Sequence, residues 1–255
     1  MNVKVFASGS SGNCALLSDR DTHVLIDAGI SARRIRRSLA DAELELQELN
    51  GVLITHEHSD HVSGLKTLLK YAPVPIYAPH TVAARLCGAL PEATDFVRVI
   101  PTGTPVRIGG MQVTAFHTPH DTDESVGYRV EGHGTFALAT DMGHVTDEVF
   151  EGLLGADAAL IESNHDLEML CCGPYPVYLK RRILSDRGHL SNADCAVLAR
   201  KLAEAGTGTI ILGHLSRENN RPELAFSETE RELAGLGAKL YCAPVFGCLS
   251  VEVGR

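Results

Sequence analysis

Three histidines and an aspartate, His56, His58, Asp60 and His61, fall within six residues directly after the apolar run Val52-Leu53-Ile54. The run reads as a buried strand, and Leu65, Leu68 and Leu69 recur beyond it at helical spacing, so the cluster occupies a strand-to-helix turn. His56 and His58, two apart in an extended segment, point the same way. Asp60 and His61 enter the helix start, where an aspartate also suits the cap position, and they address a second, adjacent point. A solvated polar loop rarely carries imidazole and carboxylate at this density. The pattern points to one turn serving two metal ions, zinc or a similar divalent cation.

The same logic recurs along the chain. Val24-Leu-Ile-Asp27, Thr135-Phe-Ala-Leu-Ala-Thr-Asp141, Ala158-Ala-Leu-Ile-Glu-Ser-Asn-His165 and Thr209-Ile-Ile-Leu-Gly-His214 are apolar strands that each deliver a polar or metal-type residue at their C-terminal end. Phe116-His-Thr-Pro-His120 offers His117 and His120 as candidates. Convergence of such ends at one sheet edge gathers ligands from distant sequence. Asp27 either caps the following helix or orients a ligand histidine from behind. The loop Ser8-Gly-Ser-Ser-Gly-Asn13 makes a turn or cradles an anion with its backbone N–H groups.

Helices are expected over 31–42, 81–90, 146–154, 175–185, from a Ser191 cap to about 205, and over 227–236. Strands are expected near 3–7, 14–18, 74–78, as a paired set through 97–116, near 239–245 and near 249–253. The helix at 31–42 carries Arg33, Arg34, Arg36 and Arg37, either a solvated face or a grip on a nucleic-acid backbone.

Composition narrows the partners. With 23 Lys and Arg against 32 Asp and Glu the chain carries a net charge of −9, which argues against general adhesion to nucleic acid or anionic membrane. Tryptophan is absent and aromatics are 5%, so a broad base-stacking platform is not expected. Seven cysteines without a CxxC pair read as reduced thiols, mostly buried, and adjacent Cys171 and Cys172 as two unconnected thiols. The N-terminus lacks a signal-peptide core and no apolar run reaches the roughly 18 residues of a membrane span. A cytoplasmic protein is expected.

THEHSDH at 55–61 resembles the HxHxDH signature of the metallo-β-lactamase superfamily, with His120, Asp141 and His214 in the superfamily's order. SGSSGN at 8–13, TPHD at 118–121, ESNHD at 162–166, YPVYLKRRI at 175–183, GHLSN at 188–192 and GHLSRENN at 213–220 resemble its YycJ/WalJ branch, which is similar to tRNase Z and PhnP-type phosphodiesterases. The resemblance implies an α/β fold, a four-layer αββα sandwich formed by one domain over 1–255. It implies His56, His58 and His120 on one metal, Asp60, His61 and His214 on the other, and Asp141 as bridge. Asp60 would orient the nucleophile, and His189 would meet the phosphate or protonate the leaving group. Asp27, Ser8, Ser10, Ser11, Asn13, Asn164, His165, Arg217 and Asn220 would surround the ligands or meet substrate. His23, His80, His133 and His144 are expected at structural positions.

Two divalent ions bring four positive charges against the two carboxylates of Asp60 and Asp141, so an acidic protein is expected to present a positive cleft. A phosphodiester fits it, with Arg217, Arg221, Lys180 to Arg182 and the arginine-rich helix expected to extend the attraction, and the branch implies 5′ to 3′ exonuclease action on double-stranded DNA; the His and Asp ligands admit zinc or manganese. Two alternatives share the scaffold: hydrolysis of a small cyclic phosphodiester or thioester, and RNA processing. A non-catalytic metal-binding protein is a third, against which the intact ligand set argues. Only 73 positions separate Asp141 from His214, too few for the inserted domain of β-CASP nucleases.

Overall fold

The computed structural model describes residues 1–254. Two seven-stranded sheets face each other. The first contains β1 (Asn2–Ala7), β2 (Cys14–Asp19), β3 (Thr22–Ile26), β4 (Gly51–Leu53), β5 (Ile76–Ala78), β6 (Val97–Val99) and β14 (Leu249–Glu252), in the order β14-β1-β2-β3-β4-β5-β6. The second contains β7 (Val106–Ile108), β8 (Met111–His117), β9 (Val126–Glu131), β10 (Thr135–Ala139), β11 (Ala158–Glu162), β12 (Thr209–Gly213) and β13 (Lys239–Cys242), in the order β13-β12-β11-β10-β9-β8-β7. The chain's last strand, β14, pairs antiparallel with β1 and returns the C-terminal segment to the first sheet.

The central strands β2, β3, β4, β10, β11 and β12 are buried on both faces, which explains why these segments read as continuous apolar runs rather than as alternating ones, whereas β6, β7, β13 and β14 at the sheet edges are partly exposed. Alternation still decides which core each side chain enters. Leu17, Val24 and Ile26 point inward to meet Val113, Tyr128, Phe136, Leu160 and Ile211 from the opposite sheet. Their neighbours Leu16 and Leu25 point outward, under α1 (Ala32–Ala40), α3 (Leu65–Leu69) and α4 (His80–Ala89), which contribute Ile35, Leu39, Leu65, Leu68 and Val82. Across the molecule α5 (Asp147–Leu153), α8 (Asn192–Glu204) and α9 (Pro222–Glu232) cover Ala137, Ala159, Ile161 and Leu212. The layers are therefore αββα, as the resemblance implied.

Strand direction positions the site. β3 and β4 run parallel, as do β10, β11 and β12. β1 and β8 are each separated from a parallel neighbour by two antiparallel pairings, so they run the same way. Seven strands thus end at one edge, and their next residues are Ser8, Asp27, the Thr55-His56 turn, the His120 loop, Asp141, the Glu162 segment and His214.

Several expectations need correction. β6 does not join the 106–117 hairpin but pairs parallel with β5 in the other sheet. The last helix begins at Pro222, five residues before the expected 227, because Pro at the first helical turn arrives with a suitable φ. A short helix, α6 (Leu167–Cys172), went unforeseen; Asp166 caps it by accepting from Met169 N at 2.8 Å. Of the seven thiols only Cys14 and Cys195 are buried, and Cys171, Cys172 and Cys248 are exposed. Among the described residues no helix is long and apolar enough to cross a membrane.

Candidate metal centre

The turn after β4 is clamped from below. Gly29 lies against it so closely that a Cβ there would stand 1.6 Å from the Asp60 carbonyl. Asn13 N donates to that carbonyl and Ala28 N to the His61 carbonyl, both at 2.8 Å. The short helix α2 (Ser59–Val62) starts from His58 at its cap position. Asp60 is therefore not the cap: it lies inside the first turn and its carboxylate faces His61 and His214 at 3.5 and 3.6 Å.

The strand-end residues carry backbone strain. Asp27, Asp141 and His214 have φ of +59°, +59° and +53°, the left-handed region that costs a residue with a Cβ about 1–3 kcal/mol. Each reversal turns its side chain back over the sheet edge. All three are buried, and the strain is held by the packing around them.

Two triads of donor atoms result. His56, His58 and His120 bring ligand atoms within 4.8 Å of one another, and so do Asp60, His61 and His214. Asp141 stands between them, one oxygen 3.4 Å from His61 Nε2 and the other 3.8 Å from His120 Nε2. His117, the rival to His120, is exposed and pairs with Glu148 at 2.9 Å.

Behind the triads a second row of groups decides which nitrogen of each ring is free. Asp27 Oδ2 accepts from His61 Nδ1 at 2.7 Å, leaving Nε2 toward Asp60 and Asp141. Thr55 Oγ1 donates to Asp27 and accepts from His56 Nδ1 at 3.1 Å. The Gly188 carbonyl accepts from His120 Nδ1 at 3.3 Å. Glu162 Oε1 accepts from both His214 Nδ1 at 3.0 Å and His189 Nδ1 at 2.7 Å, and its Oε2 accepts from Met142 N at 2.8 Å.

Charge in this nest is strongly coupled. Burial opposes protonation of His61, yet the Asp27 and Asp141 charges outweigh it and push the imidazole up to about 10. Burial would raise Asp60, but hydrogen bonds from His214 and His61 hold its carboxyl far below the usual carboxylate range. His56 goes the other way: burial first, then neighbouring histidines, push it well below 6.5. Glu162 is likewise held down, against its burial, by His189 and His214. Buried polar atoms without partners, Asp141 Oδ2, His214 Nε2 and Asp121 Oδ1, lie within this cluster. Unmatched carboxylate oxygens and an unmatched ring nitrogen converging in a buried nest fit divalent cations, whose binding would satisfy them and displace ring protons.

A groove of about 190 Å³ opens beside the cluster, lined by Ser10, Asp121, Asn164, Tyr175, Leu179, Arg182, His189 and Ser216. Arg182, near the end of α7 (Val177–Ile183), pairs with Asp121 and places a guanidinium at the rim.

A family model described as the beta-lactamase superfamily domain matches residues 22–215, the span that carries every one of these donors. The chain belongs to the beta-lactamase superfamily. Within the superfamily, Exodeoxyribonuclease YycJ of Bacillus anthracis is 38% identical over 229 residues, covering 88% of this chain and 86% of the relative. Exodeoxyribonuclease WalJ of Streptococcus pneumoniae is 36% identical over 236 residues, covering 90% and 87%. The metallo-beta-lactamase fold protein YhfI from Bacillus subtilis shares the fold, with a TM-score of 0.73 at 17% identity over 98% of this chain and 99% of that one.

The other expected residues of this beta-lactamase superfamily site divide by what they touch. Ser8 Oγ accepts from His214 N at 2.8 Å, and Asn13 Nδ2 lies 3.1 Å from His61 Nε2. Ser10 and Ser11 are exposed, and Ser10 reaches the groove. Asn164 Nδ2 donates to the His214 carbonyl at 2.9 Å. Asn220 is spent on the backbone of Ser163 and Asn164 and on Asn192, so it braces the loop and does not face substrate. His165 is buried beneath the edge with neither ring nitrogen bonded. Arg217 leaves the groove and stacks on Phe246 at 4.8 Å. Lys180 is also spent, donating to the carbonyls of Cys171 and Gly173 at 2.7 and 2.8 Å. His144 donates to or accepts from nothing in the cluster, bonding the Asp186 carbonyl at 2.9 Å. Glu162 and Thr55 are the residues that sequence reasoning passed over. Glu162 carried a usable signal, being a carboxylate at the end of an apolar strand like Asp27 and Asp141.

Proposed function

We propose that this protein is a metal-dependent phosphodiesterase that holds two divalent ions, zinc or manganese, and removes nucleotides from DNA as a 5′ to 3′ exonuclease, with duplex DNA as substrate. The observation that carries the reading is the paired set of donor triads sharing Asp141 beside a groove with Arg182 at its rim. The names of the YycJ and WalJ relatives support the substrate class. His56, His58 and His120 would hold one ion, Asp60, His61 and His214 the other, and Asp141 both. Bound there, such ions supply Lewis-acid polarisation of a phosphoryl oxygen and acidify water.

The chain's own residues do the rest. Asp60, kept ionised, accepts a hydrogen bond from the attacking water and aims its lone pair at phosphorus. His189 lines the groove, and Glu162 outweighs its burial and raises its pKa, a direction that favours the protonated ring as donor to the leaving oxygen. Arg182 offsets phosphate charge. A single domain over 1–255 and a cytoplasmic location belong to the same reading.

The test is to strip the protein, reload it with zinc or manganese, and supply 5′-phosphorylated duplex DNA, RNA, a cyclic nucleotide and a thioester in parallel. Release of mononucleotides from duplex DNA supports the reading. Turnover of a small substrate with DNA left intact rejects it.

A further inference from the structure

Outside the site, one exposed aromatic stands between two cations. Phe246 is half exposed, in the loop after β13, and both the Arg34 guanidinium of α1 and the Arg217 guanidinium lie over its ring, 4.4 and 4.8 Å from the centroid. Phe246 also lines a surface groove of about 440 Å³ with Lys4, Arg34 and Arg37. Asp41 is the one carboxylate in that lining, and among the described residues neither it nor any other acid forms an ion pair with Arg34, Arg37 or Arg217. A protein of net charge −9 therefore gathers unneutralised cations here and fixes two of them on a ring. Stacking on an aromatic face holds each guanidinium in place and removes part of the freedom an arginine loses on binding.

The patch is contiguous with the metal centre. Ser8 N donates to the Pro244 carbonyl at 3.1 Å, and Ser8 Oγ accepts from His214 N. Arg217 follows His214 by three residues in the same loop. The exposed Ser10, two residues after Ser8, lines the groove beside His189.

We propose that Arg34, Phe246 and Arg217 form a phosphate clamp for the DNA strand that extends beyond the reacting end, with Arg37 and Lys4 continuing it. The clamp is assigned to the sugar-phosphate backbone, whose contacts position a strand without reading its sequence. The proposal rests on the nucleic-acid reading above, and names where the substrate lies once its end is in the site.

The test is fluorescence anisotropy of metal-loaded protein with a fluorescein-labelled duplex carrying phosphorothioate linkages at its 5′ ends, across a salt series. The double variant Arg34→Ser/Arg217→Ser should bind about tenfold more weakly, and the slope of log affinity against log salt should shrink by roughly 0.9 for each phosphate the variant no longer neutralises. Arg34→Lys/Arg217→Lys should keep the slope while losing part of the affinity, because charge remains and the stacking does not. Arg107→Ser, an exposed arginine on β7, should bind like the unmodified protein. Unchanged affinity and slope in the double serine variant overturn the proposal. So does loss of poly-glutamate binding in that variant with duplex binding intact, which would assign the patch to an acidic polypeptide. Patch-dependent binding of duplex without any nucleotide release from unprotected DNA would sink the exonuclease reading and leave the clamp standing.

Discussion

Replacing Glu162 by Gln keeps its shape and removes its charge, and it tests whether this buried carboxylate holds the site together. Glu162 accepts three hydrogen bonds, from His189 Nδ1, His214 Nδ1 and Met142 N. A glutamine amide offers one oxygen and one NH2. Whichever way it sits, an NH2 faces at least one N–H donor, so a buried bond is lost and a donor is left unsatisfied. Loss of a charge-assisted bond and a stranded buried donor together cost roughly 3 kcal/mol. In a chain of this size that lowers Tm by about 6–12 °C. Freed from Glu162, the His214 ring no longer has its Nδ1 proton pinned, and metal affinity or kcat should fall by about 10–100-fold. Differential scanning fluorimetry of the metal-loaded variant, metal analysis after dialysis and single-turnover cleavage read the three effects. A Glu162→Gln protein that keeps its Tm, its metal and its kcat would show that the carboxylate holds neither His214 nor His189 in place.

Further outcomes follow from the same geometry. Asp27→Ala removes the group that orients His61 and should lower retained metal by about 10–100-fold while leaving the secondary structure intact by circular dichroism. Gly29→Ala drives a methyl into the Asp60 carbonyl, so the turn must shift; retained metal and cleavage should both fall, and a variant with normal values would show that the clamp under the turn is dispensable. Tyr128→Phe removes the buried bond from its Oη to the Ile54 carbonyl at 2.6 Å, which links the two sheets beside the site, and should cost about 1 kcal/mol in urea unfolding. Burial would raise the Asp19 carboxyl, but hydrogen bonds from His133 and the charge of the N-terminus hold it below 3.8. Its contribution is therefore complete above the unfolded value and lost as pH falls through the lower native one. Asp19→Asn should cost about 1 kcal/mol at neutral pH and progressively less below about pH 4.

The central strands were legible because they are doubly buried. Runs such as Val24–Ile26, Ala158–Ile161 and Thr209–Leu212 read as buried strands, while their assembly into facing sheets was implied by the resemblance of the motifs and not by the runs themselves. Where a strand is short and half exposed, as at Val97–Val99, nothing local says which sheet it joins, and proximity in sequence misled. Donor residues were legible because imidazole and carboxylate at a strand end have few other uses. The groups behind them were harder. Thr55 is an ordinary threonine in sequence, and the bond from His120 goes to a backbone carbonyl at Gly188, which has no signature. Asn220 and Lys180 resembled substrate contacts because both types are polar and near the motifs. The structure spends them on backbone carbonyls, a demand that only the folded loops reveal.

In the proposed reaction a two-ion site cleaves phosphodiesters at DNA ends. Metal analysis of the purified protein, coupled to product mapping on end-labelled duplex DNA, tests it most directly. Two divalent ions per chain and release of 5′ mononucleotides are expected, with His58→Ala losing bound metal and cleavage together. Duplex DNA left intact by fully loaded protein, or cleavage that persists in His58→Ala with its metal content unchanged, would contradict it.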